Sequence, residues 1–180
     1  MQNETNKKSI NRISVLCITA MLAAIVIVMT AYILHIPIGV ASGGYIHLGD
    51  AFIFTAACML PQPYALAVGA IGAGVADLLT APIWAPASIV IKILITLPFI
   101  SNGKMLRRRN VVAALAAIPI TVIGYYFAEV ILFGNWKTPL VSMPFNAIQA
   151  FASFAVFLLI AAALDKMGIR TMMKRFLYRQ

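Results

Sequence analysis

The chain has 180 residues, 62% of them hydrophobic and only 11% charged, with 14 Lys and Arg against 5 Asp and Glu. A soluble domain carries about 25% charged residues, so this composition, with a mean hydropathy of +0.94, excludes an ordinary water-soluble protein. The net charge of +9 argues for a membrane surface over nucleic acid, because Lys7, Lys8 and Arg12, then Lys104 and Arg107 to Arg109, then Lys166, Arg170, Lys174, Arg175 and Arg179 form three separate clusters between apolar runs.

Lipid tolerates only helices or closed barrels. Residues 20–29 (AMLAAIVIVM) lack the alternation of barrel strands, so the expected fold is an all-α integral membrane protein. Span one is predicted over residues 13–34, and no cleavable-signal pattern precedes it. Residues 35–48, with Pro37, Gly39, Ser42, Gly43 and Gly44, read as a long outer loop able to hold a hairpin. Residues 49–60 and 64–79 read as spans two and three around a tight Pro61-Gln62-Pro63 turn, although the first is short for the roughly 20 residues of a crossing helix.

Residues 80–85 form the next outer turn, with Pro82 and Pro86 bracketing Trp84. Span four follows over 86–100, started by Pro86. Span five is predicted over 111–133 with a kink at Pro119, and span six over 143–164. Six spans put all three basic clusters on one side, which the positive-inside rule makes cytoplasmic. The expectation is a single membrane domain: residues 1–12 as a cytoplasmic N-terminus, 13–165 as a six-helix bundle, and 166–180 as a basic cytoplasmic tail.

Inside the apolar stretches the acidic and basic side chains are Asp50, Asp77, Lys92 and Glu129. Charge at membrane depth costs about 3 kcal/mol per residue, so such groups tend to be functional. The predicted topology puts all four in the outer half.

Polar residues also recur at helical spacing: Ser88, Lys92 and Thr96; Thr121, Tyr125 and Glu129; Ser142, Asn146, Gln149 and Ser153. Three such stripes on neighbouring helices would line a pocket for a small polar ligand. Glu129, Asn146 and Gln149 are the leading contacts. Lys92 is balanced between a ligand contact and an internal ion pair.

Tyr125, Trp84 and Trp136 lie at a depth where they could stack on an aromatic ring or belong to the interfacial belt. His47 is a further candidate contact, or a loop hydrogen-bonding residue. Asp50 and Asp77, near helix ends, are expected to be structural, capping a loop amide or pairing with Lys92. Cys17 and Cys58 read as packing residues, and no metal-ligand spacing or catalytic motif occurs. Gly69, Gly72 and Gly74 with Ala70, Ala73 and Ala76 read as a close-packing face.

The order Gly44-Tyr-Ile-His-Leu-Gly-Asp50, then Gly69-Ala-Ile-Gly-Ala-Gly-Val-Ala-Asp-Leu-Leu79, then Ala85-Pro-Ala-Ser-Ile-Val-Ile-Lys92 resembles the substrate-binding S components of energy-coupling factor (ECF) vitamin transporters. Within them it is most similar to the riboflavin, hydroxymethylpyrimidine and pyridoxine group. The resemblance covers nearly the whole chain.

It implies a subunit in a prokaryotic cell membrane that binds a vitamin from outside and catalyses nothing itself. It also implies a membrane coupling protein and two cytoplasmic ATPases as partners, and a toppling motion to release the ligand inside. The family's Ala-x-x-x-Ala contact with the coupling protein matches Ala20-Met-Leu-Ala-Ala24. The polar inventory favours hydroxymethylpyrimidine or pyridoxine over a large flavin. Two other classes stay open: a proton-coupled carrier with a relay through Asp77, Lys92 and Glu129, and a ligand-free structural protein.

Overall fold

The computed structural model describes residues 11–33, 35–37 and 45–177. Lys7, Lys8, Arg179 and the loop residues Gly39, Ser42, Gly43 and Gly44 lie outside this set. Helix α1 (Arg12–Val28) starts at Asn11, whose side chain accepts the Ser14 N–H at 3.4 Å, and it continues through a π-helical turn at Met29–Ile33. Two short strands, β1 (His35–Pro37) and β2 (Tyr45–His47), pair antiparallel with Ile36 opposite Ile46.

Helices α2 (Gly49–Met59) and α3 (Gln62–Thr80) meet at Pro61, which precedes the first turn of α3 and ends α2 in extended backbone. A 3₁₀ turn (Pro82–Trp84) leads into α4 (Ala85–Thr96). Helix α5 (Arg108–Phe133) accommodates Pro119 and stops at Gly134, whose φ of 63° supplies the left-handed cap that favours glycine. Helix α6 (Pro139–Lys166) completes the long helices.

The Arg12–Ile33 helix, α3, α5 and α6 are long and apolar enough to cross a membrane, whereas α2 and the Pro82–Thr96 segment are shorter apolar helices. Apolar side chains such as Ile13, Met21, Ile131 and Leu159 stand outward at high exposure, which suits contact with lipid.

Helix α3 packs against α1, α2 and α4, and its glycines are why it can. A Cβ on Gly72 would sit 2.7 Å from Val26 Cγ1, and one on Gly74 would sit 2.7 Å from Ile89 Cγ1. Gly69 lies against the Lys92 carbonyl and Thr96 of α4. The small-residue face is thus a packing face, as the sequence implies. Phe54, Phe99 and Phe157 form an aromatic cluster inside the apolar core.

Two segments differ from expectation at the basic end. The fourth helix stops at Thr96, not near residue 100. The 97–107 connection is held by polar side chains: Asp165 accepts the Met105 and Leu106 N–H groups at 2.8 and 3.0 Å, and Asn110 bonds both backbone groups of Ile100.

The basic tail contains a helix, α7 (Ile169–Leu177), packed on α1 and α6. Its Leu177 is buried, its Arg170 donates to the Cys58 carbonyl at 2.7 Å, and the Leu177 carbonyl accepts the Asn11 N–H at 2.9 Å.

Candidate ligand-binding site

At the hairpin end of the bundle, opposite the 97–107 loop and α7, an open cleft encloses about 470 Å³, its mouth included. Strand β2 contributes Tyr45 and His47, α3 contributes Asp77, and the 3₁₀ turn and α4 contribute Trp84 and Ser88. The far wall is Tyr125 and Glu129 from α5 with Ser142, Asn146 and Gln149 from α6. The three polar stripes therefore converge. Ser88, Thr121, Glu129, Ser142, Gln149 and Ser153 are all buried.

Long-range hydrogen bonds fix the walls. The Tyr45 hydroxyl donates to Asp77 Oδ1, and Ser142 Oγ donates to Glu129 Oε2. Ser88 Oγ and the Tyr125 hydroxyl lie 2.6 Å apart. Gln149 Oε1 accepts the His47 N–H at 3.1 Å, which ties the hairpin to α6. His47 Nδ1 accepts the Gly49 N–H at 3.1 Å, and that acceptor role leaves the ring proton on Nε2. Burial pushes the His47 pKa down to about 4, so the ring is neutral near pH 7. Burial, aided by the Asp77 charge, raises the Tyr45 hydroxyl above its ordinary value and keeps it a donor.

Three buried polar atoms on this lining have no protein partner: Asp77 Oδ2, Glu129 Oε1 and Trp84 Nε1. Leaving a buried donor or acceptor unpaired costs roughly 1–3 kcal/mol, more for a charged group. Such atoms on residues that line one cleft mark where a ligand would bond. Trp84 is itself buried, edge-on to Tyr125 with ring centroids 6.3 Å apart.

Two expected contacts lie elsewhere. Lys92 is fully buried and does not line the cleft; its Nζ sits 2.8 and 3.0 Å from the two Asp50 oxygens, over the Tyr125 ring at 5.2 Å. The lowest-energy partner for a buried ammonium is a buried carboxylate, so the ion-pair alternative is the one realised. Trp136 is 62% exposed and packs against Tyr126 and Phe127, outside the cleft. It follows the Gly134 cap and packs back on α5.

Asp50, expected to be structural, is the Lys92 partner. Asp77, expected to be structural as well, lines the cleft. Tyr45, Ser88 and Ser142 also line it; two of them stood in the polar stripes, and Tyr45 lay only in the first-loop motif. Its alternation with His47 on a short strand is the signal that would have found it. Ala20 and Ala24 are exposed on α1, a helix that contributes nothing to the cleft lining.

A solved structure described as the S component of a bacterial ECF transporter matches this fold with a TM-score of 0.70, at 19% identity, covering 87% of this chain and 98% of that one. A comparison with curated proteins finds no match. The family model for the S component of ECF-type riboflavin transporters matches residues 10–166. Together with a helical bundle whose polar stripes close on one cleft, that match over most of the sequence means that the chain belongs to the ECF-type riboflavin transporter S component family, integral membrane subunits of transport systems.

Proposed function

We propose that this protein is the substrate-capturing subunit of an ECF-type importer, taking up a small heteroaromatic vitamin or vitamin precursor, best matched by hydroxymethylpyrimidine or pyridoxine. Six spans then cross the membrane as a single domain, with both termini cytoplasmic and the hairpin end facing outward, in the cell membrane of a prokaryote. The ligand enters the cleft beneath the β1–β2 hairpin and is contacted by Glu129, Asn146, Gln149, Tyr125, Trp84 and His47, with Asp77 added to the set. A membrane coupling protein docks on the Ala20–Ala24 face of α1, and two cytoplasmic ATPases supply the energy for release inside.

The observation that carries this reading is the convergence of unpartnered, buried Asp77 Oδ2, Glu129 Oε1 and Trp84 Nε1 on one cleft beside Tyr125. Groups like these are expensive in a membrane protein unless something binds them. A riboflavin-specific subunit is also compatible with the family. The proton relay loses support, because Lys92 is committed to Asp50.

The test is mass spectrometry of small molecules released when the purified protein is denatured. One vitamin-type heteroaromatic near one equivalent is expected. Release of no small molecule, together with failure to bind any of a vitamin panel, would overturn the proposal.

A further inference from the structure

The charge balance of the cleft says more about the ligand than its size does. Among the described residues its lining carries two carboxyl groups, Asp77 and Glu129, and no Lys or Arg. Lys92, behind the Tyr125 ring, is neutralised by Asp50 at 2.8 Å. His47 is neutral, its Nδ1 already used by Gly49. Each carboxyl group has one oxygen satisfied from within the protein, Asp77 by the Tyr45 hydroxyl and Glu129 by Ser142. Each keeps its second oxygen buried and unpaired. Asp77 and Glu129 are 4% and 1% exposed, so bulk water does not substitute for a partner.

We propose that the ligand is a neutral or cationic molecule bringing at least two hydrogen-bond donors, one for Asp77 and one for Glu129, and that anionic relatives such as phosphate esters are rejected. This rests on the reading of the cleft as a vitamin site. Trp84 Nε1, the third unpaired atom, calls for one acceptor on the ligand. A ring nitrogen flanked by amino or hydroxymethyl substituents supplies that complement of two donors and one acceptor. An ionised phosphate supplies only acceptors, and it would bring negative charge to two buried carboxyl groups whose second oxygens already lack donors. A site whose buried polar groups require donors discriminates strongly against analogues that lack them. Only the unphosphorylated form of such a compound would therefore be captured.

The experiment uses the full-length protein in detergent and reads affinity by calorimetry. Pyridoxine, hydroxymethylpyrimidine and riboflavin are each paired with their own phosphate ester. For whichever alcohol binds, the ester is expected to bind at least tenfold more weakly. Glu129→Gln and Asp77→Asn, checked for folding by thermal unfolding, are expected to weaken the alcohol and to narrow the alcohol-to-ester gap. That narrowing separates charge from bulk, since the added phosphate is equally large in every variant. If Asp77→Asn does not fold, Glu129→Gln decides the point alone. An ester within tenfold of its alcohol, or a gap unmoved by the substitutions, overturns the charge assignment while leaving vitamin capture standing. Binding by no member of the series overturns both.

Discussion

At the scale of single residues, four charges set inside apolar helices divide by partner. Asp50 and Lys92 are bound to each other, buried at 1% and 0% exposure, and neither needs a ligand. Removing one member of such a pair strands the other and costs about 3–5 kcal/mol. Asp50→Asn and Lys92→Met are each expected to lower the thermal unfolding temperature in detergent markedly. The double variant should recover part of the loss, because no charge is then left alone; simple addition of the two losses would contradict the pairing. An ion pair for Lys92 was legible in the sequence, but the choice between Asp50 and Asp77 as its partner was not. The partners lie 42 positions apart, and spacing within a helix reports only which face a residue occupies. Asp77 and Glu129 are the same kind of residue at the same kind of depth. What separates them from Asp50 is that, among the described residues, neither forms an ion pair with a Lys or Arg side chain, a fact of tertiary packing.

At the scale of elements, α3 is the piece around which α1 and α4 close, and its glycines set the distance of approach. A side chain at Gly72 would meet Val26, and overpacking of this sort costs about 1–3 kcal/mol. Gly72→Leu is expected to reduce thermal stability more than Gly72→Ala, and both more than Gly134→Asn, where a Cβ meets nothing within 4 Å and asparagine tolerates the left-handed φ. Unfolding curves of the three purified variants check the order.

This packing face was legible, because a run of small residues at helical spacing has few other uses. The polar stripes on α4, α5 and α6 were legible for the same reason. The tail helix α7 was not, since Arg170, Lys174 and Arg175 interrupt Ile169, Met173 and Leu177, which recur at steps of four and form its apolar side. Nor could Trp84 be told from Trp136. Both sit beside turns near the membrane surface, and the 3₁₀ turn that aims Trp84 inward is a three-residue feature without a periodic signature.

At the scale of the whole molecule, the two surfaces the proposed function needs lie on different elements. The cleft is built from β2, α3, α4 with its preceding turn, α5 and α6, whereas Ala20 and Ala24 stand exposed on α1 beside Leu16, Met21 and Ile25. Alanines four apart leave a shallow groove in which another helix can approach closely, and van der Waals contact of that kind drives helix association in lipid. A tryptophan at either position would fill the groove while touching no residue of the cleft. Ala20→Trp and Ala24→Trp are therefore expected to bind the ligand within about twofold of the unaltered protein, yet to fail to co-purify with the coupling protein and its ATPases. Loss of ligand binding in both variants would mean that α1 supports the cleft after all. Intact co-purification in both would move the docking face elsewhere on the bundle.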